Sequence, residues 1–348
     1  MAETIAGRPE SLWNWLESET GRKWKSIGLT GLRGSSKAYV LSRWRERRKG
    51  AILVIVPDTE RAEAFYDDLR FFQRNGEAPS SLFPSWETLP YDGIPPHPEI
   101  VRERVKSLFS VMRKAEAVVI SPVRALMQKV LLPSDLKRSV FLFSVGEEVN
   151  RDDLVDYLRQ GGYTQVRVVE ERGEFSLRGA IVDIYSPFYE EPLRLEFDGD
   201  RLVSIRRFET ETQRSIQDSM TKEVFLLPAR DTPAGPLQEP AATFFDYWRG
   251  DGTVFVDSWE EVLKEAETFS RLVRDHYEKA LTKRSLVSSP ESAYLGSEEI
   301  SQRLDRFQTV FLEDSPLAPP EVQQTYSFDM EANEDLRREM KASLSPEL

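Results

Sequence analysis

The chain has 348 residues, 40% hydrophobic and 30% charged, enough for two or three domains and a sizeable core. It has no cysteine, which excludes disulfides and thiolate metal sites, and its two histidines, His97 and His276, lie too far apart in sequence for a two-histidine zinc motif. A net charge of −12 opposes a dedicated nucleic-acid surface, and with no signal-peptide core and no apolar run of the about 18 residues a membrane span needs, a cytoplasmic setting without a membrane partner is expected.

Residues 9–19 have the spacing of an amphipathic helix carrying Leu12, Trp13 and Leu16. "KSIGL" reads as a short strand that leads into "GLTGLRGSSKAYVL" (28–41), helical from Ser36 to Arg48 with Gly50 as its stop. The runs "AILVIV" (51–56) and "AVVIS" (117–121) are continuously apolar, the signature of strands buried on both faces. Between them Asp58 suits an N-cap, "SLFPSW" suits a strand, and a helix over about 98–114 aligns Val101, Val105, Leu108 and Met112. Strands alternating with helices predict an open, parallel α/β sheet over residues 1–138.

The rhythm then changes. After one helix at about 150–160 come "TQVRVVE", "GEFSLRG", "AIVDIYSP", "PLRLEF" and "LVSIRRFE", separated by Gly, Pro or Asp-Gly. They predict an inserted β-rich (α+β) domain over 139–227, largely antiparallel. A second α/β portion follows over 228–315, with strands at "TVFVD" (253–257) and "QTVFLED" (308–314) around a long helix at about 258–284. Residues 316–348 read as a polar tail without an element of its own.

The loop at 28–41 has the grammar of a phosphate loop, G-x-x-x-x-G-K-[ST], but no register is intact. From Gly28, the second glycine becomes Arg33 and the lysine becomes Gly34, and only Ser35 fits. From Gly31, Lys37 fits, but Ser36 replaces the glycine and Ala38 the Mg²⁺-binding hydroxyl. Gly28, Gly31, Gly34 and Lys37 therefore define a degenerate nucleotide loop. A working ATPase also needs an acidic pair at a strand end; "TVFVDSWEE" offers Asp257 followed by Ser258, and Asp257 reads as a helix N-cap. No ATPase and no cofactor are expected. An ATP-dependent helicase core and a direct DNA-binding module are the alternatives, opposed by these defects and by the charge.

"RWRERRKG" (43–50) sits at a helix end, where cations complement the dipole. "SWETLPYDGIPPHPEI" (85–100) reads as a rigid, aromatic-pinned loop with His97 as a loop or cap residue. In "GEFSLRGAIVDIY", Phe175, Leu177, Ile181 and Ile184 are expected to be buried, with Arg178 at a turn beside Gly179. Arg194 faces away from Leu193 and Leu195, and Arg206 and Arg207 lie on the next strand. These arginines suit either protein recognition or ordinary local ion pairs.

"SWETLPYD", "GEFSLRGAIVDIYSP" and "LLPARD", in that order, resemble the N-terminal module of the bacterial transcription-repair coupling factor family (Mfd), itself similar to the excision-repair helicase subunit UvrB. The resemblance is strongest over about 28–232 and weaker to about 315. It implies a UvrB-like arrangement of a RecA/helicase-like α/β domain (1A), an inserted domain 2, and a second α/β portion completing domain 1B. It implies that domain 2 binds UvrA and recruits repair to stalled RNA polymerase. The family's contact arginines, one in the R-G-[AG] turn and one on the following strand, correspond to Arg178 and Arg194, with Gly179 and Arg206 beside them. Full-length members are ATP-dependent DNA translocases that also bind RNA polymerase and double-stranded DNA, with ATP and Mg²⁺ used by the motor. UvrB has an intact phosphate loop and a long DNA-binding hairpin; here the loop is degenerate and only "GIPPHPEI" separates Asp92 from the next helix. The resemblance thus implies a non-catalytic N-terminal fragment, without the motor and C-terminal domains, whose UvrA-binding face is unmasked.

Overall fold

The computed structural model describes residues 3–6, 12–14, 24–73, 80–89, 91–113, 116–232, 241–248, 252–283, 287–320 and 322–328. Of the helix expected over 9–19, residues 12–14 are described and helical, and Leu16 lies outside the described residues.

Five strands, β1 (Glu3–Ala6), β2 (Ser26–Thr30), β3 (Ile52–Val56), β4 (Ser80–Leu82) and β5 (Val118–Pro122), alternate with three long helices, α1 (Ser36–Arg47), α2 (Thr59–Phe72) and α3 (Pro98–Arg113). Every residue of β3 and β5 is buried, because helices cover both faces of the sheet. Alternation along β3 splits its side chains between two cores. Val54 and Val56 meet Trp44 of α1 and Phe65 of α2, while Leu53 and Ile55 join Val105 and Leu108 of α3. Asp58 accepts from the Arg61 amide at 2.9 Å and caps α2 as expected. His97 likewise sits at the start of α3, its Nδ1 accepting from the Glu99 amide at 3.2 Å.

Two short helices, α4 (Val123–Met127) and α5 (Pro133–Arg138), lead into the insert. There β6 (Phe141–Ser144) is followed by α6 (Arg151–Gln160), β7 (Thr164–Gln165), β8 (Glu174–Arg178), β9 (Ile181–Ile184), β10 (Leu193–Asp198), β11 (Arg201–Arg207) and β12 (Glu223–Leu226). Strands β8 to β11 form an antiparallel meander, in sheet order β11-β10-β9-β8-β7, and β12 pairs with β6 as a separate ribbon. One face of the meander packs on α6 in a core of its own, built from Leu154, Leu158, Phe175, Val182, Ile184 and Leu195 among others. The strand expected at "TQVRVVE" shortens to Thr164–Gln165. Ile181 is also corrected: the core holds Val182 and Ile184, because residues an odd number apart cannot share a strand face.

The chain then returns through α7 (Phe244–Tyr247), β13 (Thr253–Asp257), α8 (Trp259–Lys283), α9 (Pro290–Ala293), α10 (Ser297–Leu304), β14 (Gln308–Glu313) and β15 (Gln324–Ser327). These strands complete the first sheet, whose order is β1-β15-β2-β14-β13-β3-β5-β4 with every neighbour parallel. The second α/β portion therefore closes the same layer instead of building another. The expected structureless tail is overturned at β15, which lies between β1 and β2 with Tyr326 buried. Four residues, three of them polar, are too short for an alternation signal; pairing on both sides buries the middle two, Thr325 and Tyr326. Residues 329–348 of that tail lie outside the described residues.

Helix α3 ties the two units together. Arg102 donates to the Pro187 carbonyl at 2.9 Å, and Arg172 donates to Glu99 at 2.7 Å and Glu190 at 3.0 Å. Two residues on from Arg102, the fully buried Arg104 pairs with Asp231, donates to the Pro84 carbonyl at 2.7 Å, and lies 4.8 Å from the Trp86 ring centroid. Trp86 itself donates to Asp231 at 3.2 Å. The aromatic-pinned loop and the "LLPARD" segment thus meet at a single buried guanidinium.

Candidate functional site

The degenerate loop runs from the end of β2 to the start of α1. Gly28 lies within β2, paired with Phe311 and Thr325, and a Cβ there would come 2.9 Å from the Ala318 Cβ. Gly31, at φ +72°, has no room either: a Cβ would fall 2.0 Å from the Phe328 carbonyl oxygen. Both glycines are thus required by the close approach of the chain around β15. Gly34, at φ +55°, has open space beside it.

Lys37 is buried in the first turn of α1 and its charge is spent inside the chain. Its Nζ pairs with Asp257 at the end of β13 and with Asp314 Oδ1 at 2.6 Å. Asp257 is buried as well, accepts from the Ser258 hydroxyl at 3.0 Å, and lies 3.5 Å from the Arg61 guanidinium. The expected cap role for Asp257 is therefore corrected. Ser258 intervenes at φ +58°, and the Trp259 amide that opens α8 donates instead to Glu313 at 3.0 Å. Burial pushes the Glu313 carboxyl up, against the lowering effect of that amide and of Lys37. The two positions a nucleotide engine would use do meet in space, but as lysine against carboxylate. With Ala38 in place of the hydroxyl, these residues do not fit a Mg²⁺-nucleotide.

The second constellation is on the outer face of the insert's sheet. The registers align Ser176, Asp183, Arg194 and Arg206 in one row across β8, β9, β10 and β11. Asp183 has no exposed surface. Arg194 grips it with two bonds, Nε to Oδ1 at 2.7 Å and Nη2 to Oδ2 at 3.0 Å. Arg194 also donates to the Gln213 carbonyl at 3.1 Å and lies 4.6 Å from the centroid of Phe208. Arg178, opposite Ile181, reaches diagonally to pair with the same Asp183. The turn between β8 and β9 has two residues, Gly179 and Ala180, and Gly179 takes φ +58° at its first position, where a II′ turn requires glycine. Arg206 lies 3.8 Å from Glu196, and Arg207 3.4 Å from Glu191.

The expected site residues Arg178, Arg194 and Arg206, with Gly179, thus share one face. Their side chains differ in access: Arg178 is 42% and Arg206 39% exposed, Arg194 only 11%. Two guanidinia on one carboxylate leave the row with a positive excess. Sequence reading passed over Asp183. Its signal was an acidic residue between Val182 and Ile184, in a strand flanked by arginine-bearing strands. It also passed over Arg61 and Asp314, which only the fold brings to Lys37. No helix among the described residues is long and apolar enough to cross a membrane.

Residues 141–231, which contain the whole meander, match the family described as UvrB interaction domain. Among curated proteins, the chain is 38% identical over 216 residues to the transcription-repair-coupling factor of Myxococcus xanthus, covering 60% of this chain and 18% of that protein. It is 29% identical over 315 residues to that of Haemophilus influenzae, covering 78% and 27%, and 33% identical over 205 residues to that of Escherichia coli, covering 59% and 17%. The chain thus corresponds to a minor part of each relative's length. Over part of its length the chain is thus similar to the transcription-repair-coupling factors, and within that part residues 141–231 match the UvrB interaction domain family.

Proposed function

We propose that this chain is a non-catalytic adaptor of transcription-coupled nucleotide-excision repair, which docks UvrA on the outer face of the β8–β11 meander and so directs repair to stalled RNA polymerase. The observation that carries this reading is a coincidence of place: the UvrB interaction domain match contains the sheet that bears the arginine row. In this reading Arg178 and Arg206 are the principal contacts, since they keep the most exposed surface. Gly179 offers close approach, with open space where a Cβ would stand. Arg194 adds its remaining donors at the centre of the row. The matching UvrA surface carries carboxylates or carbonyl oxygens that accept from these forks. On this reading, RNA polymerase and double-stranded DNA are partners of the full-length protein, as the family resemblance implies. On the same reading the degenerate loop uses no ATP or Mg²⁺, since Lys37 is already neutralised by carboxylates of its own chain.

Isothermal titration of purified UvrA into the chain tests the site. Replacing Arg178 and Arg194 together by alanine should weaken binding by about 2–4 kcal/mol. An unchanged affinity removes these arginines from the interface. Titration with Mg-ATP should give no binding heat, and micromolar affinity would overturn the non-catalytic reading.

A further inference from the structure

We propose that Asp183 is the positioning residue of this docking face, an inference that rests on the UvrA reading above. It is a fully buried carboxylate in the middle of the row, and both of its oxygens are used by arginines of the two neighbouring strands. The two arginines depend on it unequally. Arg194 is also fixed by the Gln213 carbonyl at 3.1 Å and by the Phe208 ring at 4.6 Å. Arg178 hangs from the rim of a two-residue turn, and among the described residues Asp183 is its only ion-pair partner. A long, half-exposed side chain without an anchor samples many rotamers, and binding must then freeze them. Asp183 removes that cost by holding the Arg178 fork over the sheet beside Arg194 before a partner arrives. Stability alone gives little reason for such a group, since a buried ion pair seldom outperforms apolar residues of the same volume. Asp183 therefore acts on the partner through Arg178, without touching it.

A double-mutant cycle on UvrA affinity decides this, using the full chain as wild type, Asp183→Asn, Arg178→Ala and the combination. Asp183→Asn should weaken binding about tenfold when Arg178 is present and less than twofold when Arg178 is alanine. A role confined to holding the fold would give equal losses in both backgrounds, and that result overturns the inference, as does wild-type affinity for Asp183→Asn. If Asp183→Asn alone does not fold, the same cycle is run with Arg194→Gln added throughout, so that the buried guanidinium leaves with its counter-ion. Wild-type affinity for Arg178→Ala would instead defeat the docking reading itself, and the inference with it.

Discussion

Lys37 keeps the position of a phosphate-loop lysine while its charge is met by Asp257 and Asp314. A buried charge left without its partner is strongly destabilising, whereas an exposed pair contributes little. Lys37→Met should therefore lower the stability of the chain by about 3 kcal/mol, and adding Asp257→Leu should recover much of that loss. Asp314, whose side chain is 49% exposed, should cost less than about 1 kcal/mol as asparagine. Urea unfolding measures all three, and equal costs for Lys37 and Asp314 would contradict the burial argument. Lys37 was legible as the lysine of a broken phosphate loop, and Asp257 as a strand-end acid read as a helix N-cap. Their contact was not, because 220 positions separate them and no local pattern records a contact between a helix and a distant strand end. The arginines were legible from alternation, which sends Arg194 away from its leucine neighbours. Asp183 was not: a carboxylate in an apolar strand is recognisable as bound only when the guanidinia opposite it are known.

The strands with apolar side chains on both faces, β3, β5 and β13, could be read directly, since a continuous apolar run has few other uses. Strand β15 could not, and it explains the loop glycines better than a phosphate does. Gly31→Ala would force a left-handed alanine and drive its Cβ onto the Phe328 carbonyl, 2.0 Å away, at the end of β15. Gly34→Ala meets the same conformational penalty but no obstruction, and should cost about 1 kcal/mol. Gly31→Ala should cost clearly more and loosen β15, seen as faster amide exchange over residues 324–328. Equal melting temperatures for the two variants would refute this account.

At the scale of the molecule, one parallel sheet with a core on each face carries a β-rich insert with a core of its own, and α3 bolts the two together. Buried and half-buried tyrosines run through all of it. Burial, with Tyr277 and Glu291 nearby, pushes the Tyr91 phenol up to about 12 from 10.0. Burial drives Tyr157, Tyr163, Tyr247 and Tyr294 higher still. These groups are neutral in both states below pH 10, so their contribution to stability is fully present there. Above it the unfolded chain releases protons that the folded chain retains, and stability falls as pH rises from about 10 through 12. The urea midpoint should drop steeply over that interval, with phenolate absorbance appearing together with unfolding, and Tyr91→Phe should make the drop shallower. Phenolate absorbance complete near pH 10 in the folded protein would rule this out.

By itself the sequence determined the α/β rhythm, the inserted antiparallel sheet, the broken phosphate loop and the face on which Arg194 lies. All of these depend on residues within a few positions of one another, through strand and helix periods and turn chemistry. Only the tertiary structure decided that β13 to β15 close the first sheet, that Lys37 is neutralised from β13 and the segment after β14, and that Arg178 and Arg194 share one buried carboxylate. Each of these is a pairing between distant segments, set by sheet register and by the need to give every buried charge a partner, and neither is written in any local stretch of the chain.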